Sequence, residues 1–279
     1  MPPGHRLLDV GGGARLERFA TRVIDRPLPT ALGARLDPEA WRNADLRYER
    51  DRGWSGDAEA RRPWPVEIDG VTLELRPTEA GQVGLFPEHA AMLPWLRREV
   101  AARTEVGEAP AVLHLFAYTG LVTLAMAAGG ARVTHVDATR PTVGWARHNA
   151  TLSGLVDRPI RWIVDDATAF TAREVRRGRH YAGVVLDPPS YGHGPGAAAW
   201  RIGDDLSPLL EAVARLLVPD GFLLLTAHTP DLGAERLAGA VACALSRPID
   251  SIEAGGLDLV TPDGRRAELG TFARLSGGA

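Results

Sequence analysis

The chain has 279 residues, 45% of them hydrophobic and 24% charged, which provides enough apolar sequence for a large core and excludes a chain that is disordered throughout. The formal charge is −3 and all 32 basic residues are arginine, which disfavours a uniformly basic nucleic-acid binder. The single cysteine, Cys243, cannot form an internal disulfide or a cysteine-rich metal site, and no metal site is predicted. No apolar stretch approaches the ~20 residues of a membrane span and the amino terminus lacks a signal-peptide core, which predicts a cytoplasmic protein without a membrane partner.

The amino-terminal part contains a glycine-rich turn that lacks the context of a nucleotide-binding loop. Leu7–Gly13 ends in three glycines, but Pro27 and Pro29 leave room for one short helix at most, and no partner strand precedes it. We therefore expect a glycine turn in a small hairpin. The polar stretch Arg47–Arg62, with its alternating charges, is expected to be a mobile loop region.

A second hairpin and a helix are predicted next. Trp64–Ile68 and Val71–Leu75 flank Asp69-Gly70, a pair that tolerates the positive φ angles of a type I′ turn. The pattern then predicts a helix over Pro87–Arg103, which Pro94 should kink.

From Ala111 onward, apolar runs alternate with helical patterns, which is the βαβ rhythm of a parallel sheet with helices on both faces. The predicted strands are Ala111–Phe116, Arg132–Val136, Ile160–Val164, Tyr181–Leu186 and Gly221–Thr226. The predicted helices are Gly120–Ala128, Pro141–Ser153, Ala167–Arg177, Asp204–Leu217 and Asp231–Leu245. Three short strands, Ile249–Ala254, Leu257–Thr261 and Glu268–Ala273, are expected to follow as an antiparallel edge.

The ends of the first two strands of this sheet carry a candidate cofactor site. The turn Phe116-Ala117-Tyr118-Thr119-Gly120 joins an apolar strand to a small-residue helix. Asp137 follows Gly120 by 17 positions, near the ~20 that separate a glycine turn from a ribose-binding acid. A carboxylate there can accept hydrogen bonds from two vicinal hydroxyls. The alternative for Asp137 is a helix cap.

The third strand ends in the pair Asp165-Asp166, and an acid at this place can accept a hydrogen bond from an adenine amine. Asp166 is favoured over Asp165, because the adjacent Ala167 opens the next helix and can offer its backbone N–H to the ring. The alternative for Asp166 is an N-cap.

The fourth strand leads into Asp187-Pro188-Pro189-Ser190-Tyr191. Two prolines fix an extended turn whose carbonyls are not used by a following helix, so these carbonyls and the carboxylate can hold an amino group toward an electrophile. Tyr191 can stack on a planar substrate. The alternative is a purely structural turn.

Together these motifs resemble the class I S-adenosylmethionine-dependent methyltransferases, and within them the bacterial group related to the large-subunit 23S ribosomal RNA methyltransferases. The resemblance covers nearly all of the chain and implies S-adenosyl-L-methionine as the cofactor. It implies cofactor-binding roles for Phe116, Tyr118, Thr119, Gly120, Asp137, Asp165 and Asp166. It implies catalytic roles for Asp187, Pro188, Pro189 and Tyr191.

Two upstream segments are also similar to this family. Gly84–His89 is similar to the segment that folds over the cofactor, which makes Phe86, Glu88 and His89 cofactor candidates. Leu16–Phe19 matches the family's early hairpin. The resemblance implies a Rossmann-like α/β fold with a seven-stranded, mostly parallel sheet, helices on both faces, and a small amino-terminal β-hairpin/α extension. The implied domains are an extension over residues 1–104 and a catalytic domain over residues 105–279.

By family analogy we expect methyl transfer to a base nitrogen of RNA, ribosomal RNA in the first place. Relatives that methylate cytosine carbon-5 place a cysteine just after the fifth strand, where this chain has Thr226-Ala227-His228-Thr229. Cys243 is expected to be a buried, inert thiol, so that chemistry is not expected. The acidic pI and the lack of room for a further RNA-binding domain leave a small-molecule acceptor as the alternative. A non-catalytic cofactor-binding protein is a third hypothesis.

Several residues outside these motifs have two interpretations. His193 and His228 are candidate proton acceptors or structural groups, and His114 is expected to be a core histidine. A basic cluster at one helix end either contacts phosphate or complements the helix dipole, and it consists of Arg173, Arg176, Arg177 and Arg179. Three aromatic residues in segments expected to be flexible, Trp54, Tyr191 and Trp200, either stack on bases or line a small pocket.

Overall fold

A computed structural model describes residues 4–105, 107–192 and 200–278 of the chain. The backbone contacts divide it into two units. The first contains the described residues up to Ala90 together with Asp258–Leu269, and the second contains Ala91–Leu257 and the described residues from Gly270 onward. The predicted domain boundary between residues 104 and 105 stays a prediction.

The first unit is built on a five-stranded sheet whose strands follow one another in chain order. They are β1 (His5–Gly11), β2 (Ala14–Phe19), β3 (Arg22–Pro27), β4 (Leu46–Glu49) and β5 (Gly53–Gly56), with helix α1 (Pro38–Arg42) between β3 and β4. The predicted glycine turn is confirmed, because Gly12 and Gly13 join β1 to β2 with φ angles of 58° and 73°. The predicted mobile loop over 47–62 is wrong, since residues within it form the partly exposed strands β4 and β5, of which β5 is the edge strand of the sheet.

A separate two-stranded hairpin completes the strands at the start of the chain, with β6 (Trp64–Ile68) antiparallel to β7 (Val71–Leu75). Asp69 and Gly70 have φ angles of 51° and 77°, as a type I′ turn requires, so this prediction is confirmed. The single kinked helix predicted over 87–103 is wrong. A 3₁₀ helix over Pro87–Met92 comes first, and helix α2 (Leu93–Thr104) begins after it with Pro94 in its first turn, where a proline causes no kink.

The second unit is built on the predicted seven-stranded, mostly parallel sheet, so the expected fold class is confirmed. The strands of this sheet are β8 (Ala111–Leu115), β9 (Arg132–Asp137), β10 (Ile160–Val164), β11 (Tyr181–Leu186), β14 (Leu217–Ala227), β15 (Glu253–Val260) and β16 (Arg266–Leu275). The end of β15 and the start of β16 fall in the segment Asp258–Leu269 that is grouped with the first unit. A short separate pair is formed by β12 (Tyr191–Gly192) and β13 (Trp200–Arg201). The spatial order is β10-β9-β8-β11-β14-β16-β15, parallel from β10 to β14, with β16 antiparallel to β14.

Helices connect the parallel strands. They are α3 (Leu121–Ala128), α4 (Arg140–Leu152), α5 (Ala167–Arg176), α6 (Ile202–Leu216) and α7 (Ala234–Leu245). The central strand β11 and the second half of β14 are almost continuous runs of buried apolar side chains, which is the pattern of strands covered on both faces, whereas the outer strand β10 has exposed side chains. Cys243 is exposed, so the expectation of a buried thiol is wrong: α7 buries the stripe formed by Leu237, Ala238, Val241 and Ala242, and residue 243 points away from it.

The antiparallel end of the sheet differs from the prediction in one place. The strand expected over 249–254 begins with a 3₁₀ turn, Ile249–Ser251, because the backbone N–H and the hydroxyl of Ser251 both donate to the Pro248 carbonyl. The sheet resumes only with β15, which also includes most of the next predicted strand. In the part of the chain that the structure describes, no helix is both long and apolar enough to cross a membrane.

Candidate active site

Four consecutive strands, β8 to β11, are parallel neighbours in the second unit, so their carboxyl ends lie at one edge of the sheet. This edge is called the carboxyl edge below. The predicted cofactor turn follows β8, Asp137 ends β9, the Asp165-Asp166 pair follows β10, and Asp187 follows β11. The fold therefore places these predicted site residues of the second unit at a common edge.

The turn after β8 has an unusual backbone. Phe116, Tyr118 and Gly120 have φ angles of 55°, 48° and 94°, in the left-handed region that side chains rarely adopt. The φ of Gly120 favours glycine there, and a Cβ atom at this position would also lie in tight contact, 3.2 Å from the Ala146 Cβ of α4. Strain at non-glycine residues is concentrated at ligand-binding turns in many proteins, because binding needs a fixed backbone shape.

The Asp137 carboxylate is held against this turn. One oxygen accepts the backbone N–H of Tyr118 at 2.9 Å and the other accepts that of Thr139 at 3.2 Å. Burial raises the pKa of Asp137, and these hydrogen bonds oppose the rise. The N-cap of α4 is Thr139, whose hydroxyl accepts from Thr142, so the capping alternative for Asp137 does not hold.

The Asp165-Asp166 pair lies next to Asp137, because the Asp165 backbone N–H donates to the Asp137 carbonyl at 3.0 Å. The Asp165 carboxylate forms an ion pair with Arg173 of α5. One oxygen of Asp166 accepts the Ala169 N–H at 2.8 Å, which makes Asp166 the N-cap of α5. The capping role that the sequence left open for Asp166 is therefore present.

The Asp187 carboxylate contacts residues at the end of β14, the neighbouring strand. Its Oδ1 accepts the Thr226 hydroxyl at 2.6 Å and lies 3.4 Å from His228 Nε2. Thr226 is a partner of Asp187 that had not been predicted. Only the register of two parallel strands indicates this contact. Leu186 of β11 pairs with Leu225 of β14, so the residues that follow them, Asp187 and Thr226, are also neighbours.

The turn after Asp187 is tied down more than predicted. Pro188 is buried and Pro189 exposed, but the Pro189 carbonyl accepts Trp200 Nε1 at 2.7 Å, so the expectation that this carbonyl is free is wrong. Trp200 is itself buried and packs on Phe116 with ring centroids 5.2 Å apart, which explains why it is not a flexible surface residue. Tyr191 is 78% exposed and stays accessible for stacking.

Other predicted residues belong to the first unit or fall outside the described part of the chain. Phe86, Glu88 and His89 belong to the first unit, where Glu88 is buried and the rings of Phe86 and His89 are 5.8 Å apart. Trp54, in the same unit, donates to the Thr78 carbonyl at 2.7 Å. His193 lies outside the described residues.

A buried polar chain beneath the cofactor turn had not been predicted beyond His114 as a core residue. His114 of β8 is hydrogen-bonded to the Thr123 hydroxyl of α3 at 2.7 Å, and the same hydroxyl is 2.9 Å from His135 Nδ1 of β9. Burial, with His114 and Arg147 nearby, holds the pKa of His135 well below its usual value. The chain therefore links two strands to the helix that begins at the cofactor turn.

Comparison with known proteins identifies the family of this arrangement. A family model described as S-adenosylmethionine-dependent methyltransferase matches residues 45–249. The chain belongs to this family. A solved SAM-dependent methyltransferase from Agrobacterium tumefaciens is 34% identical to this methyltransferase, with a TM-score of 0.91 over 98% of this chain and 90% of that chain. S-adenosylmethionine is therefore its methyl donor.

Curated relatives of this methyltransferase include larger proteins. Ribosomal RNA large subunit methyltransferase K/L from Magnetococcus marinus is 32% identical over 202 residues, which are 70% of this chain and 26% of the relative. The protein of the same name from Pseudomonas putida is 31% identical over 74% of this chain and 27% of the relative. The chain thus spans about a quarter of the length of these relatives. At 15% identity and a TM-score of 0.77, SMU.776, solved as a complex with SAH, shares the fold alone over 98% of this chain and 75% of that chain.

Proposed function

We propose that this methyltransferase transfers the methyl group of S-adenosylmethionine to a base nitrogen of RNA, with ribosomal RNA as the first candidate substrate. The observation that carries the proposal is the Asp187 carboxylate, held by Thr226 at the same edge of the sheet as the strained turn 116–120. The relatives named as ribosomal RNA methyltransferases support the choice of RNA.

The residues at the carboxyl edge fit the methyl donor. The strained turn 116–120 presents backbone groups to a ligand, and the Asp137 carboxylate beside it can accept hydrogen bonds from the ribose hydroxyls. Asp166 uses one oxygen as a cap, which leaves the second oxygen for an adenine amine. The carboxylates of Asp137, Asp166 and Asp187 also favour the positive charge of a sulfonium. We propose cofactor contacts for Phe86, Glu88 and His89 as well, from the family resemblance.

When bound, S-adenosylmethionine supplies a methyl group that its sulfonium already activates. The task of the protein is then to orient the acceptor nitrogen and exclude water. Thr226 donates to Oδ1 of Asp187, which orients the carboxylate, and in this proposal the carboxylate accepts a hydrogen bond from a substrate amine. Tyr191, largely exposed, is placed in this proposal as the stacking surface for the base.

The proton that the acceptor nitrogen loses needs a base near Asp187. His228 Nε2 lies 3.4 Å from Asp187 Oδ1, which makes His228 our candidate acceptor for this proton. Addition of a thiolate to cytosine carbon-5 is not proposed, because the single cysteine of the sequence is on the outer face of α7.

The test is transfer of radiolabelled methyl groups from S-adenosylmethionine, with protein-free ribosomal RNA from a strain lacking this gene and, in parallel, a small-molecule extract of the same cells. Digestion of the RNA to nucleosides and mass spectrometry should then show an N-methylated base. Asp187→Asn serves as the inactive control. Label found only in the small-molecule fraction would overturn RNA as the substrate, and label in neither fraction from a cofactor-bound enzyme would overturn both alternatives.

The cytoplasmic location stays a prediction.

A further inference from the structure

A second concave site lies at the opposite edge of the parallel sheet. A cavity of about 580 Å³ is bounded by the first residues of β8, β9, β10 and β11 and by the turns that precede β10 and β11. Because these four strands are parallel, their amino ends lie at the edge opposite to the cofactor turn. Strands of five or six residues separate the two edges by roughly 15–20 Å. The cavity therefore does not belong to the candidate active site.

Positive charge dominates this site, which is called the arginine cavity below. It is lined by Arg132, Arg158, Arg161, Arg179 and His180, with Glu174 as its one acidic residue. Since the whole chain carries a formal charge of −3, this excess of arginine is local to the cavity. The arginine cavity is not the basic cluster of residues 173–179 that the sequence indicated. Within that cluster, Arg173 pairs with Asp165 at the carboxyl edge, whereas Arg179 lies in the cavity with arginines from two other segments.

The one acid in the cavity is already neutralised. Glu174 is 1% exposed and accepts the Tyr181 hydroxyl at 2.8 Å. It forms an ion pair with Arg177 at 3.0 Å and lies 3.8 Å from Arg161. Burial, together with Glu174, raises the pKa of Tyr181 well above its usual value, so the Tyr181 hydroxyl stays a hydrogen-bond donor.

Two of the cavity arginines have no acidic partner within the described parts of the chain. Arg158 and Arg179 are exposed, and neither forms an ion pair with a described residue. Arg132 donates to the Ala109 carbonyl at 3.1 Å and is 3.9 Å from the exposed Glu108. At least two guanidinium groups are therefore available to an anion, and a guanidinium presents a planar pair of donors that matches two phosphate oxygens.

We propose that the arginine cavity binds phosphate groups of the RNA backbone, so that the substrate contacts both edges of the sheet. This inference rests on the proposed function and adds a second contact surface to it. The path between the edges runs along β10, which is the outermost strand of the sheet and has exposed side chains at Arg161 and Val164. An RNA chain is long enough to reach both edges, whereas a small phosphorylated ligand would occupy the cavity alone.

The decisive variant is the double substitution R158A/R179A, compared with R18A/R98A. Arg18 and Arg98 are also exposed, form no ion pair with a described residue and lie outside the cavity, so both variants lose two positive charges. Neither change removes a buried contact, and S-adenosylmethionine affinity, measured by calorimetry, should stay unchanged in both. The RNA probe is protein-free ribosomal RNA together with a mixed-sequence single-stranded RNA.

We expect R158A/R179A to weaken RNA binding about tenfold, with a salt slope shallower by about 1.4, as the loss of two phosphate contacts to a single strand predicts. R18A/R98A should bind RNA like the wild type. Equal RNA affinities and salt slopes of the two variants would overturn the inference while leaving RNA methylation intact. A wild-type protein that binds no RNA would overturn it as well. Inorganic pyrophosphate that displaces RNA equally well from the wild type and from R158A/R179A would also count against this location.

Discussion

The two edges of the parallel sheet differ in the charge of their side chains and in the contacts that hold those side chains. At the carboxyl edge, Asp137 and Asp187 are fixed by backbone or hydroxyl donors at 2.6–3.2 Å. At the amino edge, Arg158 and Arg179 lie exposed in turns without an acidic partner among the described residues. The same strands thus end in oriented acids on one side and in free-standing cations on the other.

This difference shows how one fold can separate chemistry from substrate retention. Oriented carboxylates keep their geometry when a ligand arrives, which suits a donor and an acceptor atom that must be aligned. Exposed arginines adjust to a backbone of irregular shape, and their contribution depends on salt. Substitutions at the carboxyl edge should accordingly change rate and cofactor affinity, and substitutions at the amino edge should change RNA affinity alone.

The largest effect is expected for Asp187→Asn. The amide keeps the oxygen that accepts from Thr226 but removes the negative charge, so a substrate amine is oriented less well and methyl transfer should fall about a hundredfold or more. Initial rates with labelled S-adenosylmethionine measure this. Asp220→Asn, an exposed acid near the amino end of β14, is the matched control and should transfer methyl groups at the wild-type rate. Unchanged transfer by Asp187→Asn would remove Asp187 from the mechanism.

The next effect is on cofactor affinity. Asp137→Asn removes the charged acceptor that we assign to the ribose hydroxyls, and hydrogen bonds to charged groups contribute about 2 kcal/mol, so the dissociation constant for S-adenosylmethionine should rise roughly thirtyfold. Titration calorimetry gives this constant directly, and the Asp220→Asn variant again provides the comparison. A dissociation constant within twofold of the wild type would show that Asp137 serves only to hold the Tyr118 and Thr139 backbone groups.

The sequence predicts the carboxyl edge well and the rest of the site less well, for physical reasons. Strand ends can be located because buried parallel strands are short apolar runs that end in polar residues, as at Asp137, Asp166 and Asp187. The partners of those acids cannot be located in this way. Thr226 lies 39 positions after Asp187 and reaches it only through the register of β11 and β14.

The regions that were predicted wrongly have weak local patterns. Strand β5 is at the edge of its sheet and β4 is next to it, and only one of their eight residues is buried, so their polar side chains look like a loop in the sequence. The arginine cavity collects residues from separate turns, and no spacing along the chain indicates that Arg132 and Arg179 share it. Structure adds most where contacts join distant segments.

Between the two edges the sheet buries His135, and the effect of this burial on stability can be tested through pH. The pKa of buried His135 lies well below that of an unfolded histidine, ~6.5. Below that pH the unfolded state gains a proton that the folded state does not, so the free energy of unfolding falls as pH decreases, by up to about 1.4 kcal/mol per pH unit. Above it, this group contributes no pH dependence.

Urea denaturation between about pH 8 and pH 5 should show this loss of stability in the wild type. His135→Asn should have a shallower dependence below the pKa of free histidine, whereas His180→Asn, a substitution of an exposed histidine, should keep the wild-type slope. Equal slopes for wild type and His135→Asn would show that other groups are responsible for the pH dependence.

The smallest effect separates the two roles of Asp166. Its Oδ1 caps α5 through the Ala169 N–H, and its second oxygen is our candidate for the adenine amine. Asp166→Ser keeps a hydroxyl at the cap, because serine is as good an N-cap as aspartate, and it removes the acid. Asp166→Ala removes both and should cost about 1 kcal/mol of folding stability.

If Asp166 contacts the cofactor, Asp166→Ser should unfold at the wild-type urea concentration but bind S-adenosylmethionine several-fold more weakly, since one hydrogen bond to a charged acceptor is lost. If Asp166 is only a cap, the Ser variant should match the wild type in both measurements. The Ala variant should then lose folding stability but keep the wild-type affinity for S-adenosylmethionine, measured without urea where the protein is folded. Weaker cofactor binding in the Ala variant alone would mean that the start of α5, and not the acid, shapes the adenine pocket. Because the Ser variant preserves the helix start, its affinity decides whether the carboxyl edge contributes a third oriented acid to the cofactor.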